Sequence, residues 1–278
     1  MAEKTKTIIT AALTGAVTPK ELNETIPLTP EEIAEDAYNC WKAGAAIVHL
    51  HMRDDKGIGT MDKERFKKTI ELIKAHKDCD VIINCTTSGA INPTDEERMA
   101  HIYELRPEMG SYDAGTFNWM PGTVFMNSPQ FLEKLGKCYM ETGVKPEIEI
   151  FDTGMLGITQ YYQKKGLLPE KLHYQFCLGV LGGMEATVEN LNILRSRIPA
   201  DATWSAFGIG KGHMPIMYAT LALGGHIRVG LEDNVYYARG VKATNVMLVE
   251  RAVKAVELYG NKVATPSEAR EILGLKQM

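Results

Sequence analysis

Two histidines, His49 and His51, stand two residues apart within the stretch 46–54, whose sequence is AIVHLHMRD. The stretch begins as an apolar run of β type and ends in charged residues. Side chains alternate across a strand, so we expect both imidazoles to point the same way, about 7 Å apart along the backbone. Such a pair at the carboxyl end of a strand is suited to bind a metal ion; the alternative is two ordinary polar residues.

A carboxylate that would complete such a site lies near the other end of the sequence. In the segment HIRVGLEDN, residues 226–234, strand alternation places Arg228, Gly230 and Glu232 on one face. Glu232 is therefore a candidate third ligand, which leaves an open position for water or substrate. Zinc fits two histidines and a carboxylate best, although non-haem iron uses the same ligand types. The other interpretation is that Glu232 and Asp233 are solvated loop acids.

Arg228 lies inside a predicted strand, where an unpaired charge would be costly. We therefore expect it to have a carboxylate partner, and Asp233 and Glu149 are the two candidates. An arginine beside a carboxylate favours its ionised form and orients it as a base. These three are the predicted catalytic residues, and a purely structural ion pair is the alternative.

An alternation of strands and helices must position these residues. Eight short apolar runs of β type are each followed by an amphipathic helical segment. The runs are 7–13, 46–54, 81–86, 109–113, 146–151, 172–178, 203–207 and 226–231. Eight such units in about 250 residues predict parallel strands closed into a (β/α)8 TIM barrel. The competing open, doubly wound sheet normally shows a phosphate fingerprint after its first strand, and LTGAV at 13–17 is not one.

No linker, low-complexity stretch or block of charge divides the sequence. We predict one barrel domain over residues 1–278, with a short helical extension from about residue 264. Chemistry in such barrels belongs at the carboxyl ends of the strands. The polar residues predicted at these ends are Thr14, His49, His51, Thr86, Ser88, Ser111, Asp113, Glu149, Asp152, Gln175, Ser205, Gly210, Arg228, Glu232 and Asp233.

A glycine-rich loop, GIGKG at residues 208–212, leaves the seventh predicted strand. Loops at this position in barrels often bind phosphate, which fits a phosphate-bearing cosubstrate such as a coenzyme A thioester. Gly208, Gly210 and Lys211 are therefore the candidates for cofactor binding, although glycines also simply shape turns.

Composition narrows the classes of function. The net charge of −4 gives no electrostatic reason to expect nucleic acid or an anionic membrane surface as a partner. No apolar run reaches the roughly 18 residues of a membrane span, and residues 1–6 lack the layout of a signal peptide. Five scattered cysteines without a CxxC pair favour reduced thiols in a cytoplasmic protein.

Four segments together resemble the β-keto acid cleavage enzyme family, and the resemblance runs nearly end to end. They are VHLHMRD, GGHIRVGLEDN, GVLGGM at 179–184 and ATPSEAR at 264–270. The resemblance implies a zinc-dependent (β/α)8 barrel that converts a β-keto acid and acetyl-CoA into acetoacetate and a new acyl-CoA. It also implies a homo-oligomer, a tetramer.

Site residues follow from the resemblance by position. His49, His51 and Glu232 match the zinc ligands of the family. Arg228 and Asp233 match the pair that removes a proton from the bound keto acid.

Further positions match the part of the family site that holds the substrate. Thr86 stands where the family often has a serine that helps to hold the keto acid, and Thr87 and Ser88 follow it in the same turn. Ser111 and Glu149 match other active-site positions.

One position departs from the family pattern. A family member that cleaves 3-keto-5-aminohexanoate carries, in the loop after the first strand, a glutamate that pairs with the substrate's ammonium group. The matching residue here is Val17. We therefore expect a substrate with a neutral, apolar or differently recognised side chain.

Two other classes of function remain open from the residues. One is a different metal-dependent barrel enzyme, a lyase, aldolase or hydrolase; the hydrolases that begin with His-x-His also need later histidines. His101, His173, His213 and His226 do not clearly supply these. The other is a barrel retained as a non-catalytic scaffold.

Overall fold

The computed structural model describes residues 5–275, and its centre is a closed barrel of eight parallel strands. The strands β1 to β8 are Ile9–Ala12, Ile47–Leu50, Ile82–Cys85, Met109–Asp113, Lys145–Ile150, His173–Leu178, Thr203–Gly208 and His226–Val229. Neighbours in the chain are neighbours in the barrel, and β8 pairs with β1 to close the ring. The predicted (β/α)8 TIM barrel is confirmed. The first four and last three residues, which the single-domain prediction includes, lie outside the described residues.

Helices surround the barrel and connect its strands. Helices α1 to α9 are Pro30–Ala43, Lys63–Ala75, Asp95–Leu105, Pro129–Thr142, Thr153–Lys164, Val188–Arg195, His213–Ala222, Asn245–Tyr259 and Pro266–Leu273. A one-turn 3-10 helix, Gly210–Gly212, precedes α7. Local sequence sets the helix ends: Thr29 forms a capping box with Glu32 at the start of α1, and Gly44 ends that helix. Across residues 5–275, no helix is both long and apolar enough to cross a membrane.

Within residues 5–275, four short two-stranded ribbons lie outside the barrel. They are Lys6–Thr7 with Lys262–Val263, Met52–Arg53 with Gly59–Thr60, Phe117–Trp119 with Thr123–Phe125, and Tyr236–Ala238 with Val241–Lys242. The last three follow the carboxyl ends of β2, β4 and β8, so they build up the mouth of the barrel at the end where the candidate residues lie.

The opposite end of the barrel is closed by α9. Leu273 packs with Ile82, at the start of β3, in a separate apolar cluster. The Arg270 guanidinium pairs with Glu108 at 2.6 Å and donates to the carbonyl of Asp80 at 2.9 Å. Because these contacts tie α9 to the segments that lead into β3 and β4, the helix covers the amino-terminal ends of the strands.

The interior of the barrel is polar as well as apolar. Asn84 on β3 donates to Glu147 on β5 at 2.7 Å, and Glu147 is fully buried. Burial, together with the charge of Glu149, raises the pKa of Glu147 to about 8. Glu147 is therefore mostly protonated at neutral pH and carries no buried charge there.

A half-buried carboxyl group on α1 makes stability depend on pH. Asn245 donates to Asp36 at 2.6 Å, yet burial dominates and raises the Asp36 pKa from 3.8 to about 6. The folded protein therefore binds more protons than the unfolded chain between these values, so the stability falls as the pH rises through this window.

We predict that Asp36→Asn removes this loss. Relative to wild type, the variant gains about 2 to 3 kcal/mol of unfolding free energy between pH 4 and pH 7, because two pKa units are involved. Urea unfolding over this range measures the gain, with Glu71→Gln, an exposed acid on α2, as the control. A constant difference between wild type and Asp36→Asn across the range contradicts the prediction.

Candidate active site

The two histidines meet at the carboxyl end of β2. That strand ends at Leu50, so His49 lies on the strand and His51 one residue beyond its end. Both side chains are buried, and their ring centroids lie 5.1 Å apart. The Nε2 atoms of both rings lie 3.6 Å from the same oxygen, Oε1 of Glu232. The structure thus brings the three predicted metal ligands together.

Glu232 reaches this position by a turn, so our expectation of strand alternation was wrong. Strand β8 ends at Val229, and Gly230 has φ +149°. A Cβ built on Gly230 would lie 1.9 Å from the carbonyl oxygen of Ala12, so this close approach admits only glycine. The amides of Asp233 and Asn234 then donate to the carbonyl of Gly230, which folds the turn back over the mouth.

The donor set suits zinc. The ligand atoms of His49, His51 and Glu232 lie within 4.8 Å of one another. In a tetrahedral zinc site with bonds near 2.0 Å, ligand atoms lie roughly 3.3 Å apart, close to the 3.6 Å found here. Within residues 5–275, Nδ1 of His49 and Oε2 of Glu232 are buried without a hydrogen-bond partner. Two of the three distances between candidate ligand atoms are therefore already close to those of a tetrahedral zinc site.

The protonation states of His49 and Glu232 are those that metal ligands require. Burial lowers the pKa of His49 well below 6.5, so the imidazole is neutral and keeps a free lone pair. Burial alone would raise the pKa of Glu232, but the facing side chains of His51 and Arg228 hold it well below 4.5. The carboxylate is therefore ionised.

Arg228 connects this ligand set to a second group of carboxylates. Its Nε and Nη2 atoms donate to the two oxygens of Asp233 at 2.9 and 3.0 Å, a bidentate pair. Nη2 also donates to Glu232, and Nη1 lies 3.8 Å from Glu149. Of the two expected partners, Asp233 makes the hydrogen bonds. Burial raises the Asp233 pKa to about 6, although Arg228 acts in the opposite direction.

Ser111 and Glu149 form the adjoining part of the mouth. The Ser111 hydroxyl donates to Glu149 at 2.9 Å, and both residues are buried. Asp113 lies beside them, and burial followed by the charge of Glu149 raises its pKa well above 3.8. Asp113 is among the residues predicted at the strand ends, but the sequence assigns it no role in the site. Its alternation with Ser111 on β4 was the available signal.

The three hydroxyl residues after β3 occupy different environments. The Thr86 hydroxyl faces Ser88 and donates to its carbonyl at 3.1 Å, and Ser88 is half-buried. Thr87 is fully buried, and its hydroxyl donates to the carbonyl of Ser111 at 3.0 Å. Thr86 and Ser88 therefore share the mouth, whereas the hydroxyl of Thr87 is used inside the fold.

The glycine-rich loop packs against the turn that carries Glu232. The amide of Gly210 donates to the side chain of Asn234 at 2.8 Å. A Cβ on Gly208 would lie 2.5 Å from the carbonyl oxygen of Gly212, so close packing explains this glycine. Lys211 is exposed. Of the three cofactor-binding candidates, only Lys211 has a side chain that faces solvent.

Val17 lies at the outer edge of the mouth, on the loop after β1. Its side chain is 66% exposed, which is compatible with contact to a bound molecule rather than with core packing. Gly15 in the same loop lies directly against Glu232.

The sequence profile of the β-keto acid cleavage enzyme family matches residues 6–275. This chain belongs to that family. It is 45% identical over 273 residues to a 3-keto-5-aminohexanoate cleavage enzyme from Fusobacterium nucleatum, which covers 98% of this chain and 99% of the relative. It is 36% identical over 276 residues to a 3-oxoadipate:acetyl-CoA acetyltransferase from Cupriavidus necator, covering 98% and 95% of the two chains.

Solved structures confirm the fold of this family member. ObcA, in a binary complex with oxaloacetate, superimposes with a TM-score of 0.79 at 21% identity. The match covers 91% of this chain and 68% of ObcA. At this identity the likeness shows the barrel alone.

We predict that the purified protein binds one zinc ion through the two histidines and Glu232. His51→Ala weakens zinc binding by at least about 100-fold, because a direct ligand contributes more than the outer partners whose loss costs 10 to 100-fold. Competition with a chromophoric chelator measures the affinity.

His76→Ala is the control, because His76 stacks on Tyr38 at the end of α2, away from the mouth. It should bind zinc as wild type does. Undiminished zinc affinity after replacement of both His49 and His51 by alanine would show that these residues do not hold the metal.

Proposed function

We propose that this family member is a zinc-dependent enzyme that converts a β-keto acid and acetyl-CoA into acetoacetate and a new acyl-CoA. The main support is that the Arg228–Asp233 pair and the ligand carboxylate Glu232 are joined through one guanidinium. The relatives support the reaction class, since their names describe cleavage of a keto acid or transfer with acetyl-CoA.

His49, His51 and Glu232 would hold the zinc ion. When bound there, zinc supplies a Lewis acid that polarises a carbonyl oxygen and favours loss of the neighbouring proton. Glu232 is ionised and both imidazoles face it, so the ligand set is arranged before the metal arrives.

Asp233 is the proposed base. It takes a proton from the carbon between the keto and carboxylate groups, and Arg228 keeps both carboxylate oxygens in a fixed orientation. That carbon then forms a bond to the acetyl carbonyl carbon, and the thiolate of coenzyme A leaves. The thiolate attacks the original keto carbon, and the older carbon–carbon bond breaks. Asp233 returns the proton, so acetoacetate and the new acyl-CoA leave without net gain or loss of atoms.

Substrate contacts come from the neighbouring strand ends. We assign Thr86 and Ser88 to the carboxylate end of the keto acid, because hydroxyls there can donate to it. Ser111 holds Glu149 beside Arg228, and we assign Glu149 as a further catalytic group there.

Coenzyme A would lie near the glycine-rich loop. Lys211 is the side chain there that can pair with a phosphate, while Gly208 and Gly210 shape the loop around it. We also propose a homo-oligomer, a tetramer by family resemblance. We place the enzyme in the cytoplasm, where its five free cysteines stay reduced.

We predict that Asp233→Asn lowers kcat by about 10²- to 10⁴-fold, the usual contribution of a positioned base. Zinc affinity stays close to that of wild type, because Asp233 is not a ligand. A thioester-release assay measures the rate, and Asp78→Asn, an exposed aspartate that bonds Tyr38, is the control. An Asp233→Asn enzyme with wild-type kcat would refute the role of this base.

We predict that Val17 directs the enzyme towards β-keto acids with apolar side chains. Val17→Glu should raise kcat/KM for 3-keto-5-aminohexanoate and lower it for an apolar keto acid, because a carboxylate at the edge of the mouth attracts an ammonium group. A panel of β-keto acids with acetyl-CoA tests both enzymes. A clear preference of the wild type for 3-keto-5-aminohexanoate would contradict this prediction. The control Leu258→Glu, at an exposed position near the carboxyl-terminal end of α8, should leave selectivity unchanged.

A further inference from the structure

Arg53, two residues after the histidine pair, is a buried cation that the proposed reaction does not use. Its side chain is 3% exposed. The guanidinium donates to four backbone carbonyls, those of Gly15 at 2.6 Å, Gly57 at 2.8 Å, Thr18 at 2.9 Å and Thr14 at 3.4 Å. Buried arginines usually have a carboxylate partner, yet among residues 5–275 no carboxylate lies within ion-pair distance of Arg53, and the charge of Glu232 acts on it from farther away. All of its bonds go to loop backbone.

The first loop held by Arg53 is the one after β1. Three of the four carbonyls belong to residues 14–18, so this loop is fixed on both sides of Val17. Gly15 has φ +63°, and a Cβ built on it would lie 2.7 Å from Cγ of Glu232. The backbone of this loop therefore forms a wall against the side chain of Glu232.

The second loop is the ribbon that follows β2. Arg53 holds the carbonyl of Gly57, and two residues later a Cβ on Gly59 would lie 2.0 Å from the carbonyl oxygen of Gly89. A Cβ on Gly89 would in turn lie 2.9 Å from Nδ1 of His51. The loop after β3 thus lies in close contact with the ribbon on one side and with the imidazole of His51 on the other.

We propose that Arg53 is a positioning residue that fixes the loop walls behind Glu232 and His51 and sets where residue 17 meets the substrate side chain. The inference rests on the proposed function for the roles of the two ligands and of Val17. The four hydrogen bonds that the Arg53 guanidinium donates are observed in the structure and do not depend on the proposed function.

Arginine is required for this role because of its shape. A guanidinium carries five N–H donors in a rigid plane, whereas a lysine ammonium has three donors on a flexible stem. Four carbonyls from two loops surround Arg53, and a lysine at this position can satisfy only part of them.

The test is Arg53→Lys, with three measurements on the full-length protein. We expect about tenfold weaker zinc binding, as for loss of a residue that orients a ligand. We expect faster amide hydrogen exchange in residues 13–19, 54–60 and 86–90, and unchanged exchange in α9. We also expect a smaller ratio of kcat/KM between an apolar and an ammonium-bearing β-keto acid.

The matched control is Arg270→Lys. Arg270 is equally buried and also bonds a backbone carbonyl, but it lies at the closed end of the barrel. Both substitutions lower the melting temperature, whereas only Arg53→Lys should change zinc affinity, loop exchange and selectivity. Equal effects of the two variants on all three measurements would overturn the proposal.

A second variant covers the case in which Arg53→Lys does not fold. Gly15→Ala keeps the guanidinium and pushes directly on Glu232, so zinc affinity should fall while exchange in residues 54–60 stays unchanged. Wild-type zinc affinity in Gly15→Ala would overturn the proposed contact.

Failure of the proposed function can be told apart from failure of this proposal. If the wild-type protein cleaves no β-keto acid or binds no zinc, the proposed function fails. Amide exchange in the loops of Arg53→Lys still decides whether Arg53 fixes them.

Discussion

The guanidinium of Arg228 is surrounded by three carboxylates at the mouth of the barrel, and their arrangement depends on it. It makes two hydrogen bonds to Asp233 and one to Glu232, and it lies 3.8 Å from Glu149. Removing one partner of a buried ion pair typically costs about 3 to 5 kcal/mol, because the remaining charge is left uncompensated. One positive charge does not balance three carboxylates. The surplus of negative charge is the electrostatic condition that a divalent cation beside Glu232 would satisfy.

The crowding of acidic side chains continues from the mouth into the interior of the barrel. Glu147 lies below Glu149 on β5 with one hydrogen bond from Asn84, and its raised pKa keeps it neutral. A second ionised carboxylate so close to Glu149 would repel it, so the proton on Glu147 removes one buried charge from the interior. Because Glu147 stays protonated, the interior adds no further negative charge next to the carboxylates of the mouth.

Much of the fold, and the grouping of His49, His51 and Glu232, could be predicted from the sequence, and the failures have local causes. Alternation of strand and helix patterns identified the barrel because each unit repeats the same periodicity. Alternation also related His49 to His51, but it failed at Gly230, where a left-handed backbone replaces the strand. Residue type alone suggests that Thr87 binds substrate. Its hydroxyl instead donates to the carbonyl of Ser111 on β4, a contact that the local sequence does not reveal.

Arg53 shows a different limit of sequence analysis. Its four partners are backbone carbonyls, which every residue type possesses, so no pattern of side chains marks them. Strand alternation places Asp113 on the same face as Ser111. The raised pKa of Asp113, however, depends on its burial and on the charge of Glu149, which lies on a different strand. Contacts between loops are decided by tertiary packing, and these are the contacts that shape the mouth.

Gly230 also has a consequence for how the protein is made. It lies at the pairing of β8 with β1, where the ring closes against Ala12, and it delivers Glu232 to two histidines encoded near the other end of the chain. A growing chain that has emerged only as far as β7 contains both imidazoles but not the carboxylate. The three donors therefore come together only after the last strand has docked, so binding of a metal ion there would require a closed barrel.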